Sequence, residues 1–168
     1  MTDPAELTGR GLFLLDNAQF ATLATHGEGL PWASTVSYAH LTDPLRLLWY
    51  SAGAARHSRN ITGDPRVSAS IFMTGLPGIG LDGAQLTGTC REVPPEALAD
   101  IHRTFYARKF PEEGERAEWT LPIEEFSGNG PRRFYMLHVE RFWLFDVDRW
   151  LVDKHDGRVE LDVPSLRA

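Results

Sequence analysis

Stretches in which apolar and polar residues alternate recur along most of the chain. A period of two is typical of β-strands that bury one face, because successive side chains point to opposite sides of a strand. Gly80, Gly83 and Gly88, which fall within the longest stretch, predict bends or bulges there. The alternation predicts seven strands, at residues 20–25, 31–38, 45–50, 67–72, 79–93, 131–138 and 141–148.

Helical patterns flank these strands. Asp3 is placed to cap a helix whose apolar stripe continues to about Asn17. The charged stretch 111–117 is expected to be a loop, and the polar tail from about Lys154 is expected to lie at the periphery. The predicted fold is therefore mainly β with flanking helices. Further helical segments are predicted at 54–61, from 94 to about 109, and as a single turn within 119–126.

Composition sets the remaining bounds. A chain of 168 residues with 42% hydrophobic content suits one domain, 1–168, with a substantial core. The net charge of −6 argues against a nucleic-acid surface, which needs clustered positive charge. Cys90 is the only cysteine and cannot form an internal disulfide, and no apolar run reaches the roughly 20 residues that span a bilayer. A cytoplasmic protein without membrane or nucleic-acid partners is expected.

The segment 47–72 carries the strongest candidate chemistry. A strand ends at small residues, and the short helix predicted at 54–61 then carries Arg56 and His57 in its first turns. Backbone N–H groups at a helix start favour an anion, and a guanidinium can hold phosphate oxygens in a two-pronged contact. The segment therefore indicates a phosphorylated ligand, although a solvated basic helix face fits the same residues equally well.

The same segment resembles a known family. The order of residues 50–51, 56–57, 60–61 and 64–68 is similar to the FMN-binding segment of the pyridoxamine phosphate oxidase-like flavoproteins, the FMN-binding split-barrel family. That resemblance implies a six- to eight-stranded, Greek-key-like split β-barrel. It also implies FMN as cofactor and a homodimer with the flavin between subunits.

The resemblance further implies which residues contact the cofactor. In relatives the second strand lies along the flavin, and a polar side chain such as that of Gln85 lies near the ring edge. An ordinary half-exposed strand explains the residues of 31–38, and a solvent-facing position explains Gln85, equally well. Trp143 is either a core residue or a wall of a site at the dimer interface. The implied cofactor-binding residues are Ser34, Thr35, Val36, Ser37, Tyr50, Ser51, Arg56, His57, Asn60, Gln85 and Trp143.

The function implied by the resemblance is that of an FMN-dependent oxidoreductase acting on a small molecule. The vitamin oxidase itself is not expected. That enzyme has an arginine-x-histidine region near its C-terminus, whereas this chain has the different sequences of residues 134–138 and 142–144 near its end. The alternatives are a deazaflavin-dependent reductase, a haem-binding or haem-degrading relative, and a flavin-binding module without turnover. No catalytic residue is assigned, and the substrate, electron donor and reaction direction stay open.

Other chemistries find little support in the sequence. The six histidines form no H-E-x-x-H helix motif and have no cysteine pair beside them, so no metal site is expected. Neither a G-x-G-x-x-G loop that follows a strand and opens a helix nor a G-x-x-x-x-G-K-S/T loop occurs, so the usual dinucleotide and nucleotide sites find no support.

Overall fold

The computed structural model describes residues 3–167 and contains eight β-strands and five α-helices within them. The helices are α1 (Pro4–Asn17), α2 (Arg56–Gly63), α3 (Leu98–Lys109), α4 (Glu113–Trp119) and α5 (Val147–Asp153). The strands are β1 (Phe20–Gly27), β2 (Leu30–Ser37), β3 (Ala39–Thr42), β4 (Leu45–Ala52), β5 (Arg66–Thr74), β6 (Leu81–Glu92), β7 (Arg132–Phe145) and β8 (Arg158–Leu161). The mainly β fold with flanking helices is confirmed.

All eight strands belong to one antiparallel sheet in the order β2-β1-β5-β6-β7-β4-β3, with β8 added on β7. The two ends of this order, β2 and β3, are consecutive in the chain, and only Tyr38 separates them. The sheet must therefore curl until its two edges approach each other. Because β2 and β3 do not pair, the barrel stays split along this seam.

The inner face of the curled sheet forms the main core. In β1, β4, β5 and β6 the residues of this core lie at alternate positions, as the alternation predicted. Helix α1 closes one side with Leu7, Leu14 and Leu15, and its N-terminus is capped as expected, since the Asp3 side chain accepts a hydrogen bond from the Ala5 backbone. The buried inward-facing residues include Leu23, Val36, Leu47, Ile71, Leu86 and Leu137.

A second cluster covers the opposite face of β4 and β7. Helix α3 packs there with Phe105 and Tyr106, and the single helical turn Ile123–Phe126 adds Phe126. Leu48 and Phe134 are the sheet residues beneath them. This cluster leaves the outer faces of β1, β5 and β6 without a covering helix.

One continuous strand, β7, replaces the two strands predicted at 131–138 and 141–148. Two successive residues of β6 pair with Val139 and Arg141, so the intervening Glu140 is the extra residue of a β-bulge. The inward-facing side chains of β7 are odd-numbered before the bulge and even-numbered after it. The prediction of two strands was wrong because a bulge interrupts the alternation in the same way that a turn does.

Gly88 makes this bulge possible. It lies on β6 directly opposite Val139, and a Cβ atom added at Gly88 would stand 1.9 Å from the carbonyl oxygen of His138. Only glycine permits so close an approach of the two backbones.

The stretch 111–117, predicted as a loop, instead contributes most of α4. Acidic residues in its first turn complement the positive end of the helix dipole. Arg116 donates to the Phe110 and Pro111 carbonyls, and the Trp119 ring stacks on Phe110. These contacts leave no trace in the hydrophobic periodicity, so the periodicity did not predict this helix.

The C-terminal part of the chain also departs from the predictions. Strand β7 ends at Phe145, and α5 begins after Asp146, whose side chain accepts from the Arg149 backbone. The tail was expected to be peripheral, but its β8 segment pairs with β7, and Leu161 and Leu166 are buried in the main core. Two apolar residues in a polar tail are enough to anchor it when a sheet edge is available.

A charged contact ties α1 to the barrel. The Arg10 guanidinium donates two hydrogen bonds to the Asp82 carboxylate, at 3.1 and 3.0 Å, and a third to the Phe145 carbonyl. Both side chains are largely buried, with 23% and 13% exposed. None of the helices in the described part of the chain is long and apolar enough to cross a membrane.

Candidate functional site

The start of α2 is the first of two candidate regions. Strand β4 ends at Ala52, and the chain turns through residues 53–55 before α2 begins at Arg56. Ala55, at the N-cap position, offers no side-chain hydrogen bond to the helix. Since the first N–H groups of a helix have no partner within it, this terminus is open to an acceptor from outside.

Two basic side chains stand at this terminus. The Arg56 guanidinium lies 4.4 Å from the centre of the Trp32 ring, a cation–π contact with strand β2. The Nε2 atom of His57 is 2.8 Å from the Ser51 hydroxyl. Burial lowers the pKa of His57, so the neutral imidazole is favoured in the free protein. The predicted residues Ser51, Arg56 and His57 are thus brought together.

A hydrogen-bond network fixes α2 against the β1–β2 hairpin. The Asn60 amide donates to the Thr25 hydroxyl at 3.1 Å, and Thr25 donates to the Trp32 carbonyl. In the first turn of the helix, the buried Ser58 hydroxyl donates to the Ala52 carbonyl at 2.9 Å. This network holds Trp32 under Arg56. Sequence reasoning missed Trp32, because the pairing of β2 with α2 is a long-range contact that no local pattern encodes.

The second region lies on the outer face of the sheet, where one row of residues crosses five strands. Register pairs Thr35 with Thr22, Thr22 with Ser70, Ser70 with Gln85, and Gln85 with Trp143. The two threonine hydroxyls are 3.3 Å apart. Three of the predicted residues therefore stand in a single line.

A hollow of about 520 Å³ follows this row. The floor of the hollow has few side-chain atoms, because small residues occupy its central positions. They include Ala24, Ala33 and Ser68. Trp143 and Arg158 line it as the largest side chains. Trp143 is therefore a wall of a surface hollow and not a core residue, the other possibility that the sequence left open. Arg158 was missed, because it belongs to the tail that was expected to be peripheral.

The remaining predicted residues lie elsewhere. Val36 is buried in the main core, and Tyr50 packs edge-on against Phe105 and Phe126 beneath α3. Ser34 is half-buried on the inner side of β2, whereas Ser37 is exposed at the end of that strand. In the structure, Val36, Tyr50 and the buried Asn60 contact other residues of the protein. Their contact with a cofactor stays a prediction.

The two candidate regions lie on opposite faces of β2. Trp32, which contacts Arg56, and Ser34 share the inward parity of the buried Val36. Ala33 lines the hollow, and Thr35 lies on the same face of the strand as Ala33. The edge strand thus separates the basic helix start from the hollow within one chain.

The comparison with known families identifies the class of protein. The sequence model of the family described as Pyridoxamine 5'-phosphate oxidase matches residues 12–146. The match covers most of the chain, and the protein belongs to the pyridoxamine 5'-phosphate oxidase-like family. The family expected from the sequence is confirmed. No curated protein matches the chain significantly.

Solved structures share the fold at low sequence identity. A heme binding protein from Mycobacterium smegmatis has a TM-score of 0.67 and 19% identity, covering 99% of this chain and 60% of its own. The FAD and heme binding protein from Mycobacterium smegmatis has a TM-score of 0.63 and 17% identity, with 91% and 81% covered. A putative pyridoxamine 5'-phosphate oxidase from Listeria innocua has a TM-score of 0.58 and 16% identity, with 82% and 97% covered. The chain thus spans 60% of the length of the first of these proteins.

Proposed function

We propose that this protein is an FMN-binding flavoprotein that holds the cofactor phosphate at the start of α2. The observation that carries the proposal is the uncapped helix terminus beside Arg56 and His57. Arg56 supplies a permanent positive charge and a forked donor, and the open N–H groups supply further donors. These groups fit a phosphate, because the guanidinium and the helix N–H groups are all donors.

The hollow on the outer face fits the planar part of a flavin. Its volume of about 520 Å³ is in the range of small-molecule sites, and its small floor residues let a flat ring approach the sheet. Trp143 supplies an aromatic wall, and Gln85 supplies an amide for a polar ring edge. Gln85 and Trp143 would hold the ring, and Arg56 and His57 the phosphate.

We propose a homodimer as the active assembly. The helix start and the hollow lie on opposite faces of β2, so a second copy would let one cofactor contact both kinds of region. The outer face also exposes two large aromatic residues, Phe20 at 55% and Phe72 at 57%, that a partner would cover. A two-fold axis would build two equivalent sites between the subunits.

The activity that we propose is oxidation or reduction of a small molecule. In flavoproteins the cofactor supplies the electron transfer, and the protein binds, orients and shields it. A general acid or base is therefore not required, which agrees with the absence of an assigned catalytic residue. We propose the cytoplasm as the compartment, because the sequence, with a single cysteine, has no disulfide framework of the kind that secreted domains use.

Haem is the second candidate ligand. Two proteins with this fold are described as binding heme, one of them together with FAD. Deazaflavin is a third candidate ligand, since it offers a similar planar ring and a phosphate. A protein that binds flavin without catalysing a reaction is the remaining alternative.

The absorbance spectrum of the purified protein, with mass spectrometry of the released ligand, tests this proposal. Flavin absorbance and the mass of FMN are expected. A Soret band with a porphyrin mass would favour haem, and a deazaflavin mass would favour the third candidate. A colourless protein that takes up no added FMN would contradict the proposal.

A further inference from the structure

Arg158 is held in one orientation at the edge of the hollow. It is the first residue of β8, beyond the residues 12–146 that match the family. Its Nε atom donates to the Gln85 side-chain oxygen at 3.1 Å, and its Nη1 atom donates to Asp156 and to the Gly157 carbonyl. The guanidinium also lies 5.1 Å from the centre of the Phe145 ring. Contacts on several sides thus fix the guanidinium.

The contact with Arg158 decides which end of the Gln85 amide is free. A guanidinium can only donate hydrogen bonds, so the amide must turn its oxygen toward Arg158. The NH₂ group of Gln85 is then the end left for a ligand. Without Arg158 the amide could rotate and offer either a donor or an acceptor.

We propose that Arg158 is a positioning residue that makes Gln85 a hydrogen-bond donor toward the ligand. The hollow then selects a planar ligand that turns an acceptor, a carbonyl oxygen or an unprotonated ring nitrogen, toward Gln85. This inference rests on the proposed flavin site and adds the polarity of the ring edge that the site recognises.

The same pair divides two cavities. Arg158 and Gln85 both line the hollow of about 520 Å³ and a neighbouring hollow of about 270 Å³. Phe72, Leu81 and Phe145 also line the smaller hollow. The hydrogen-bonded pair therefore forms a shared wall, and truncation of either residue would break that wall.

A double-mutant cycle on FMN binding tests this role. Arg158→Ala and Gln85→Ala should each weaken FMN about three- to tenfold, as expected for one hydrogen bond to a neutral partner. The double variant should bind no more weakly than either single variant, because Arg158 acts through Gln85. Arg158→Lys, which keeps a donor for the Gln85 oxygen, should restore much of the loss.

Controls separate positioning from folding and from the proposed function. Arg149→Ala removes an exposed arginine of α5 that does not line the hollow, and FMN affinity should be unchanged. Thermal melting of every variant reports its fold. The positioning role would be overturned if the two losses of FMN affinity multiplied in the double variant, or if folded Arg158→Ala bound FMN as tightly as the wild type. Either result would leave the proposed flavin site intact. A wild-type protein that binds no FMN would overturn both.

Discussion

The guanidinium of Arg56 lies over the ring of Trp32, 4.4 Å from its centre, and so links the first turn of α2 to the edge strand β2. An unsupported arginine side chain loses about 2 kcal/mol of rotamer freedom when a ligand orders it. Stacking on Trp32 restricts that freedom before any ligand arrives. The arrangement is expected of a side chain that is preorganised for an anion.

The neighbouring His57 should make FMN binding depend on pH. Burial lowers the pKa of His57 in the free protein, whereas contact with a phosphate dianion would raise it. Binding would then take up a proton, so affinity should fall as pH rises through the pKa of the complex. Below about pH 6 the phosphate itself is protonated, which blunts the gain and leaves a maximum near about pH 6–7.

Fluorescence quenching of FMN between about pH 5.5 and 8.5 measures this profile. His57→Lys should flatten its alkaline side, because a lysine keeps its charge there. If wild type and His57→Lys give parallel profiles, then His57 does not contact the phosphate.

The Arg10–Asp82 contact should stabilise the fold. Arg10→Ala removes the guanidinium from the Phe145 carbonyl and from the largely buried Asp82 carboxylate, which still accepts from the Gly83 backbone. The free energy of unfolding in urea should fall by about 1.5–3 kcal/mol. Arg103→Ala is the matched control, because the Arg103–Asp100 pair is 76% and 77% exposed and should leave stability unchanged. Equal effects of the two substitutions would show that burial does not set the strength of the pair.

The close approach at the bulge predicts a second stability effect. In Gly88→Ala the new methyl group would meet the His138 backbone, which cannot move without breaking the β6–β7 pairing. A loss of about 1–3 kcal/mol is expected from chemical denaturation. Gly114→Ala in α4 has open space around it and should instead gain about 0.5–1 kcal/mol from helix propensity. Gly88→Ala with wild-type stability would mean that the bulge can rearrange.

Much of this architecture is predictable from the sequence because it is encoded locally. Alternation marks β1, β2, β4, β5 and β6, Asp3 marks the first helix, and the order of residues around Arg56 marks the turn before α2. These signals depend on neighbours within a few positions. They place the start of this helix at residue 54, two residues before its observed start at Arg56.

The rest depends on register between distant strands. The row from Thr35 to Trp143 exists only because five strands pair in one alignment, and the small residues that open the hollow have no local signature. The bulge at Glu140 and the return of Arg158 through β8 likewise arise from pairing across the sheet. The hollow could therefore not be predicted from the sequence, unlike the helix start.

The outer face should be a dimer interface. Multi-angle light scattering at micromolar concentration should give twice the chain mass of 18.9 kDa. Phe72→Glu places a charge among exposed aromatic area and should shift the protein toward monomer and weaken FMN together. Leu151→Glu, at a similarly exposed apolar position on α5, should stay dimeric. A wild-type monomer would contradict the proposed assembly.

The most direct test of the phosphate site compares FMN with riboflavin, which has the same ring and lacks the phosphate. Wild type should bind FMN more tightly than riboflavin, and Arg56→Ala should weaken FMN about ten- to a hundredfold while leaving riboflavin almost unchanged, since it removes one charge-assisted contact of about 1.5–3 kcal/mol. Arg103→Ala removes the same charge from an exposed surface and should alter neither affinity. Equal affinities of the wild type for FMN and riboflavin, or an unchanged FMN affinity in folded Arg56→Ala, would contradict the account.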